Sequence, residues 1–314
     1  MPVDSQLQNV LALVNSAPPE QWTRERAPEF RAIFDGMVTM LGDGPASVTT
    51  EDRVVPGPAG DIAVRVYRPE GVEQPPILVF FHGGGFVIGS IATHDRDCRY
   101  LAEGSGAMVV SVDYRLAPEH PAPAASDDCL AALRWVGEHA AELGGDASRI
   151  AIGGDSAGGN LTAVTALRVR NEGGPELRFQ LLVYPVVDMT PTLDEPIYES
   201  MITNAEGYFL TLDDMLFFAE CYIPDGADRG DPTLSPIKAD TLEGLPPALV
   251  LTCEYDPLCD MGEAYAKALA DAGVVVSHTR YAGAIHGVMG MAAITDIGKR
   301  FIDEAALAVA AALR

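Results

Sequence analysis

Lysine is nearly absent. Lys238, Lys267 and Lys299 are the only three in 314 residues, and with arginine they give 21 cationic side chains against 45 acidic ones, a formal net charge of −24. A surface of that sign repels phosphate backbones and disfavours nucleic-acid partners; it favours solubility but specifies no substrate. Cysteine is sparse as well. The five cysteines, Cys98, Cys129, Cys221, Cys253 and Cys259, are odd in number and show no Cys-x-x-Cys spacing, which argues against a disulfide framework or a zinc ribbon and points to reduced, buried thiols. There is no His-Glu-x-x-His and no clustered ligand set, so no metal and no cofactor is expected. No apolar run reaches membrane-spanning length, and Met1–Gln6 lack a basic region followed by an apolar stretch. Neither a membrane partner nor a signal peptide is expected, and the expected location is cytoplasmic. Internal repeats and low-complexity tracts are missing too.

Apolar residues make up 48% of the chain, enough for a substantial core. The length suits one large α/β domain with an insertion, or two small domains. Leu7, Val10, Leu11 and Val14 fall at helical spacing, and Phe30, Ile33, Phe34, Met37 and Leu41 repeat it after Ala27-Pro28. Strands are expected over Thr50–Val55 and Ile62–Arg68, joined by a short turn that suggests an antiparallel hairpin. The apolar runs Ile77–Phe81 and Met108–Val112, the second broken only by Ser111, read as buried parallel strands. A helix over Ala124–Leu143, a strand at Ile150–Ile152, a helix over Ala157–Arg170 and a strand over Phe179–Val187 follow. Pro247–Cys253, Met261–Ala272, Val274–Tyr281 and Ile297–Leu313 continue the alternation, which means a mostly parallel, doubly wound α/β sheet. The interval from Asp188 to Leu245 holds no clear strand and is too long for an ordinary loop; a helix is expected in it at Leu212–Tyr222. The chain therefore divides into residues 1–50 as an N-terminal helical cap segment, 51–187 and 246–314 as the catalytic domain, and 188–245 as an inserted cap segment.

The chemistry centres on Gly154-Asp155-Ser156-Ala157-Gly158. A strand-like Ile150-Ala151-Ile152 precedes it and a helix opening follows. Serine between strand and helix, with glycine on both sides, can occupy a tight strained turn that exposes its hydroxyl above a sheet. A serine needs a base, and the base an acid partner; in this arrangement they follow in the order Ser, acid, His. Of the six histidines, only His278 and His286 lie downstream of both Ser156 and a further acid. His278 falls inside a strand, whereas His286 follows one, at the carboxyl edge where open parallel sheets place their sites. The acid belongs after the preceding strand, where Glu254, Asp256 and Asp260 compete; Asp256-Pro257 is turn chemistry and favours Asp256. The glycine run His82-Gly83-Gly84-Gly85-Phe86 follows the strand Ile77–Phe81 and can present backbone N–H groups to an oxyanion, joined by the N–H of Ala157. It fits neither Gly-x-Gly-x-x-Gly nor a Walker pattern, and His82 precedes the serine and reads as an anchor of the loop.

Together with Asp113-Tyr114-Arg115-Leu116-Ala117-Pro118-Glu119-His120-Pro121, Gly207-Tyr208-Phe209-Leu210-Thr211 and Asp256-Pro257-Leu258, these motifs resemble the hormone-sensitive-lipase-like family of α/β-hydrolase esterases. The resemblance covers about residues 75 to 290. It implies the α/β-hydrolase fold, a mostly parallel eight-stranded sheet flanked by helices with a helical cap. It implies Ser156, Asp256 and His286 as a catalytic triad, settling Asp256 over Glu254, and the N–H groups of Gly83, Gly84 and Ala157 as the oxyanion hole. It also implies a homodimer paired through the last strand's edge. Cys259 stands where the family commonly has Arg, which alters local salt bridging and leaves the triad intact.

The resulting expectation is a serine carboxylesterase that takes small-molecule esters with short to medium acyl chains. The same groups could serve an amidase, formamidase or lactonase. A non-catalytic receptor on this fold is a further alternative, against which the intact Ser, Asp and His argue. Candidate pocket residues are Phe34, Met37, Phe86, Tyr184, Tyr208, Phe209 and Leu210. Val38, Leu41, Leu216 and Phe217 are further apolar contributors from the two cap segments.

Overall fold

A computed structural model describes residues 2–16, 22–191 and 197–314. Its strands are β1 (Thr49–Gly57), β2 (Gly60–Arg68), β3 (Ile77–Phe81), β4 (Met108–Asp113), β5 (Ile150–Asp155), β6 (Leu177–Val183), β7 (Ala248–Tyr255) and β8 (Val276–Ile285). They form one 8-stranded sheet in the order β1-β2-β4-β3-β5-β6-β7-β8. β1 and β2 make the antiparallel hairpin, closing at Gly57↔Gly60, and β2 joins β4 antiparallel; every other pairing is parallel. This is the α/β-hydrolase architecture.

The helices are α1 (Ser5–Val14), α2 (Ala27–Val38), α3 (Asp95–Ser105), α4 (Ala124–His139), α5 (Ala157–Glu172), α6 (Glu199–Thr203), α7 (Leu212–Tyr222), α8 (Cys259–Asp271) and α9 (Asp296–Ala312). Side chains of the central strands alternate between two cores. Ile77, Val79 and Phe81 of β3 meet Leu133 of α4, Leu161 of α5 and Tyr265 of α8. Leu78 and Phe80 face the other way, into a cluster with Leu101 of α3, Phe301 and Ile302 of α9, and Leu7 and Leu11 of α1. With both faces covered, a central strand has no polar side, so β3 reads in the sequence as a continuous apolar run and β4 as one broken only by the buried Ser111. All five cysteines are free and buried.

Several boundaries differ from the expectation for local physical reasons. Helix α3 leaves little trace in the sequence: its inward residues include Arg96 and Asp97 beside Cys98 and Leu101, so its apolar stripe is thin. β6 ends at Val183 although Val186 and Val187 are apolar, because Tyr184 turns to φ 32° and Pro185 follows. β8 runs on to Ile285, past Gly283 (φ 78°), where an irregularity between Cys253 and Tyr255 lets Tyr255 pair with Ile285. Residues 17–21 and 192–196, which belong to the expected cap segments, lie outside the described residues. Of the rest, α2 is bound to the segments after β3 and β4 by Arg31, whose Nε donates to the Val87 carbonyl at 2.7 Å and Nη2 to the Ala117 carbonyl at 2.7 Å. Phe30 of α2 stacks on Phe218 of α7 with ring centroids 5.9 Å apart. No described helix is long and apolar enough to cross a membrane.

Candidate active site

β5 delivers Ser156 into α5 through a turn with φ 55° and ψ −115°. A non-glycine residue there is strained, and packing must hold it. The glycines at either side make that packing possible: a Cβ on Gly154 or Gly158 would collide with the Phe81 carbonyl of the neighbouring strand. The Ser156 N–H donates to the Val183 carbonyl at 2.9 Å, which fixes the turn against β6.

His286 follows the last residue of β8 directly. Its Nε2 lies 3.0 Å from Ser156 Oγ and its Nδ1 lies 2.7 Å from Asp256 Oδ2. Asp256 is fully buried in the turn after β7, where its Oδ1 accepts the Leu258 N–H at 2.8 Å. Three loops at the carboxyl ends of β5, β7 and β8 thus bring together the three residues singled out from the sequence. The competing acids go elsewhere. The Glu254 carboxylate accepts the Gly283 N–H at 2.7 Å, and Asp260 accepts the Ser200 N–H at 2.8 Å. His278 sits on β8 with Nε2 3.1 Å from Thr252 Oγ1.

The glycine loop requires a correction. Gly83 was expected to aim its N–H at the reacting oxygen, but that N–H donates to Asp155 Oδ1 at 2.8 Å. Gly84 (φ 113°) and Gly85 (φ 59°) are the two that border the cavity, and no described residue accepts a hydrogen bond from either N–H. A Cβ on Gly85 would collide with the Phe218 ring, so this position has room only for glycine. His82 is fully buried behind the loop. Its ring stacks on Tyr114 with centroids 4.2 Å apart, and the Tyr114 hydroxyl donates to the His82 carbonyl at 2.7 Å. Burial, and then the neighbouring His94, push its pKa down to about 3, so it is a neutral anchor.

Ser156 and His286 open onto a cavity of about 320 Å³. Of the candidate pocket residues, Phe34, Met37, Phe86, Phe209, Leu210 and Leu216 line it. Two candidates do not. Tyr184 lies beneath His286, with ring centroids 4.6 Å apart, because its backbone N–H is bound to the Leu251 carbonyl at 2.6 Å and holds the residue in the sheet layer. Tyr208 packs on Tyr255 at 4.9 Å instead of turning inward. Phe217 is buried in the core, whereas its neighbour Phe218 takes the cavity side; Val38 and Leu41 are not on the wall. Trp22, Phe30, Met189, Met201 and Met215 are also on the apolar wall, and nothing in the sequence singles them out for it. The helical spacing of Phe30 is legible in the sequence, but its direction depends on the pairing of α2 with α7. The acidic groups on the wall have partners: Asp188 holds Thr190, Tyr198 and Lys238, and Asp214 caps α7 through Thr211. Among the described residues, no group of three or more His, Cys, Asp or Glu side chains could hold a metal ion.

Residues 78–290 match the family described as alpha/beta hydrolase fold. The chain is similar to the carboxylic ester hydrolase LipN of Mycobacterium tuberculosis (strain ATCC 25618 / H37Rv), 46% identical over 269 residues that span 83% of this chain and 69% of LipN. It is also similar to the carboxylesterase NlhH of the same strain, 50% identical over 240 residues that span 74% of this chain and 73% of NlhH. Among solved structures, a hyperthermophilic esterase from the archaeon Pyrobaculum calidifontis superposes with a TM-score of 0.91 at 41% identity, covering 99% of each chain.

Proposed function

The chain belongs to the hormone-sensitive-lipase-like family of α/β-hydrolases and is a carboxylic-ester hydrolase, and from that premise we propose that Ser156, His286 and Asp256 carry out the reaction through an acyl-enzyme. The observation that carries this reading is the unbroken relay from Ser156 Oγ to His286 Nε2 (3.0 Å) and from His286 Nδ1 to Asp256 Oδ2 (2.7 Å). His286 takes the hydroxyl proton as Ser156 Oγ attacks the ester carbonyl, and Asp256 fixes the imidazole tautomer and stabilises the imidazolium. The tetrahedral oxyanion is received by the N–H groups of Gly84, Gly85 and Ala157. The Ala157 N–H stands at the first turn of α5, where the helix dipole also favours negative charge. His286 then protonates the departing alcohol and activates the water that releases the acid. Stoichiometric release of p-nitrophenol from p-nitrophenyl acetate, ahead of steady turnover, tests the acyl-enzyme; turnover with no covalent intermediate under any trapping condition contradicts it.

The substrate range follows from the apolar wall. We place the cap over Ser156 in α2 together with α6 and α7, which makes the acyl site closed and compact. Each buried methylene gains about 0.8 kcal/mol, or about fourfold in kcat/KM, until the cavity is full. Across p-nitrophenyl esters from acetate to palmitate, kcat/KM is expected to rise over the short chains and then fall, with no jump at the micellar threshold. Palmitate as the best substrate, or activation by micelles, would contradict the closed site.

The active species is proposed to be a homodimer. β8 ends the sheet, and Val275, the residue just before it, is 73% exposed. The N-terminal segment ties down the far end of this strand, the Asp4 N–H donating to the Gly283 carbonyl at 3.0 Å. That leaves residues 276–281 as the open edge for antiparallel pairing with a second copy. Light scattering at micromolar concentration should give twice the chain mass; monomer alone would defeat the dimer.

A further inference from the structure

Behind the glycine loop lies a buried charged pair that the relay does not use. Asp155, which immediately precedes Ser156, accepts the Gly83 N–H with Oδ1 at 2.8 Å and meets His94 Nε2 with the same oxygen at 3.4 Å. Both side chains are more than nine-tenths buried, and both touch the cavity. The protonation of His94 can be read from its other nitrogen. Thr93 Oγ1 accepts the Ser90 N–H at 2.8 Å and donates its own proton to the Ser90 carbonyl at 2.9 Å. Where that proton goes to the Ser90 carbonyl, His94 Nδ1, 2.8 Å from Thr93 Oγ1, is left as the donor. A bare Nε2 lone pair would be repelled by the carboxylate it faces, so Nε2 carries a proton too and the ring is an imidazolium.

The surrounding charges agree. Burial is the largest influence and works against a charged His94, but the attraction and hydrogen bond of Asp155, the charge of Asp97 and the Ser90 backbone together raise its pKa above the ordinary imidazole value. Burial likewise works against a charged Asp155, yet His94 brings its pKa below the usual value. The other ionisable groups facing the pair are Asp97, whose Oδ1 lies 3.5 Å from Arg96 Nε, the neutral His82, whose ring centroid is 5.4 Å from that of His94, and Cys98, Tyr114 and Tyr184, which burial pushes well above their ordinary pKa and keeps neutral.

We propose that Asp155 is a positioning residue for the oxyanion site, fastening the Gly83 N–H so that those of Gly84 and Gly85 face the reacting oxygen, while the His94 imidazolium cancels the carboxylate's charge beside the developing oxyanion. This rests on the acyl-transfer reading of Ser156. Unfastened, Gly83 is free to turn and the next two N–H groups lose their aim. Uncompensated, the carboxylate repels the charge that the transition state creates. The imidazolium is intact below the raised pKa of His94 and is lost as pH rises through it, so the pair also sets an alkaline limit to catalysis.

The test compares Asp155→Ala, Asp155→Asn and His94→Gln with the wild type, using p-nitrophenyl butyrate for kcat and KM and a short alkyl trifluoromethyl ketone for transition-state affinity. In Asp155→Ala, kcat should fall about ten- to hundredfold with KM within about threefold, and the inhibition constant of the ketone should weaken by the same factor as kcat/KM. Asp155→Asn should recover part of the loss, because its amide oxygen can still accept the Gly83 N–H. The wild type should show an alkaline limb, and His94→Gln should abolish it. The proposal is overturned if kcat falls only in step with thermal stability, if KM rises with ketone affinity unchanged, or if the alkaline limb survives in His94→Gln. A fluorophosphonate label on wild-type Ser156 keeps such a failure separate from that of the acyl-transfer reading; no label there would take both down.

Discussion

Replacing Ser156 with alanine is expected to lower kcat/KM by at least about a thousandfold while the protein stays folded. The size follows from the chemistry: without Oγ there is no covalent step, and only the oxyanion donors and substrate binding remain to assist water. The fold should survive because what holds the turn is backbone. The Ser156 N–H bond to Val183 and the packing of Gly154 and Gly158 on Phe81 do not involve the hydroxyl. The hydroxyl faces the cavity, so its removal leaves His286 Nε2 open to water rather than orphaned in the core. Alanine inherits the φ of 55° at no cost beyond what serine already bears. A thermal midpoint within a few degrees of the wild type, with activity at background, is the expected pair of results. A variant retaining a tenth of the activity would remove Ser156 from the mechanism.

Asp256→Asn is expected to cost about ten-thousandfold in kcat, and Glu254→Gln less than about twofold. The asymmetry comes from the hydrogen bonds. The Asp256 carboxylate uses Oδ1 for the Leu258 N–H and Oδ2 for His286 Nδ1. An asparagine must keep its carbonyl oxygen towards Leu258, because the amide group cannot accept there. Its NH₂ then faces Nδ1, which has to become an acceptor, and the imidazole proton moves to Nε2. That tautomer has no lone pair for the Ser156 hydroxyl. Glu254 spends its carboxylate on Gly283, a turn contact remote from the imidazole. Steady-state kinetics of the two purified variants settles the matter; a large loss in Glu254→Gln with Asp256→Asn unaffected would reverse the assignment.

Where the sequence was informative, a short-range pattern had one physical cause. The apolar runs of β3 and β4 reflect burial on both faces. Gly-x-Ser-x-Gly reflects a turn that must pass close to the Phe81 carbonyl, and the order Ser156, Asp256, His286 reflects successive loops on one sheet edge. What escaped depended on distant partners. The direction of the Gly83 N–H is decided by a carboxylate 72 positions away, which no count of glycines discloses. Asp155 occupies the variable position of the serine motif, so its own role was hidden by the motif's wildcard. Tyr184 carries an aromatic ring close to the serine, yet its backbone bond to Leu251 keeps it under His286 and off the cavity wall. Trp22, Phe30 and Phe218 reach that wall only because α2 and α7 stack across the site, and helical periodicity says which residues share a face without saying what the face meets.

The most direct measurement is peptide mapping by mass spectrometry after titration with a fluorophosphonate, with residual esterase activity followed in the same samples. One equivalent of probe on the peptide carrying Ser156, with activity falling in proportion to labelling, is the predicted result. Label on any other residue, or activity persisting once Ser156 is fully modified, would contradict the account.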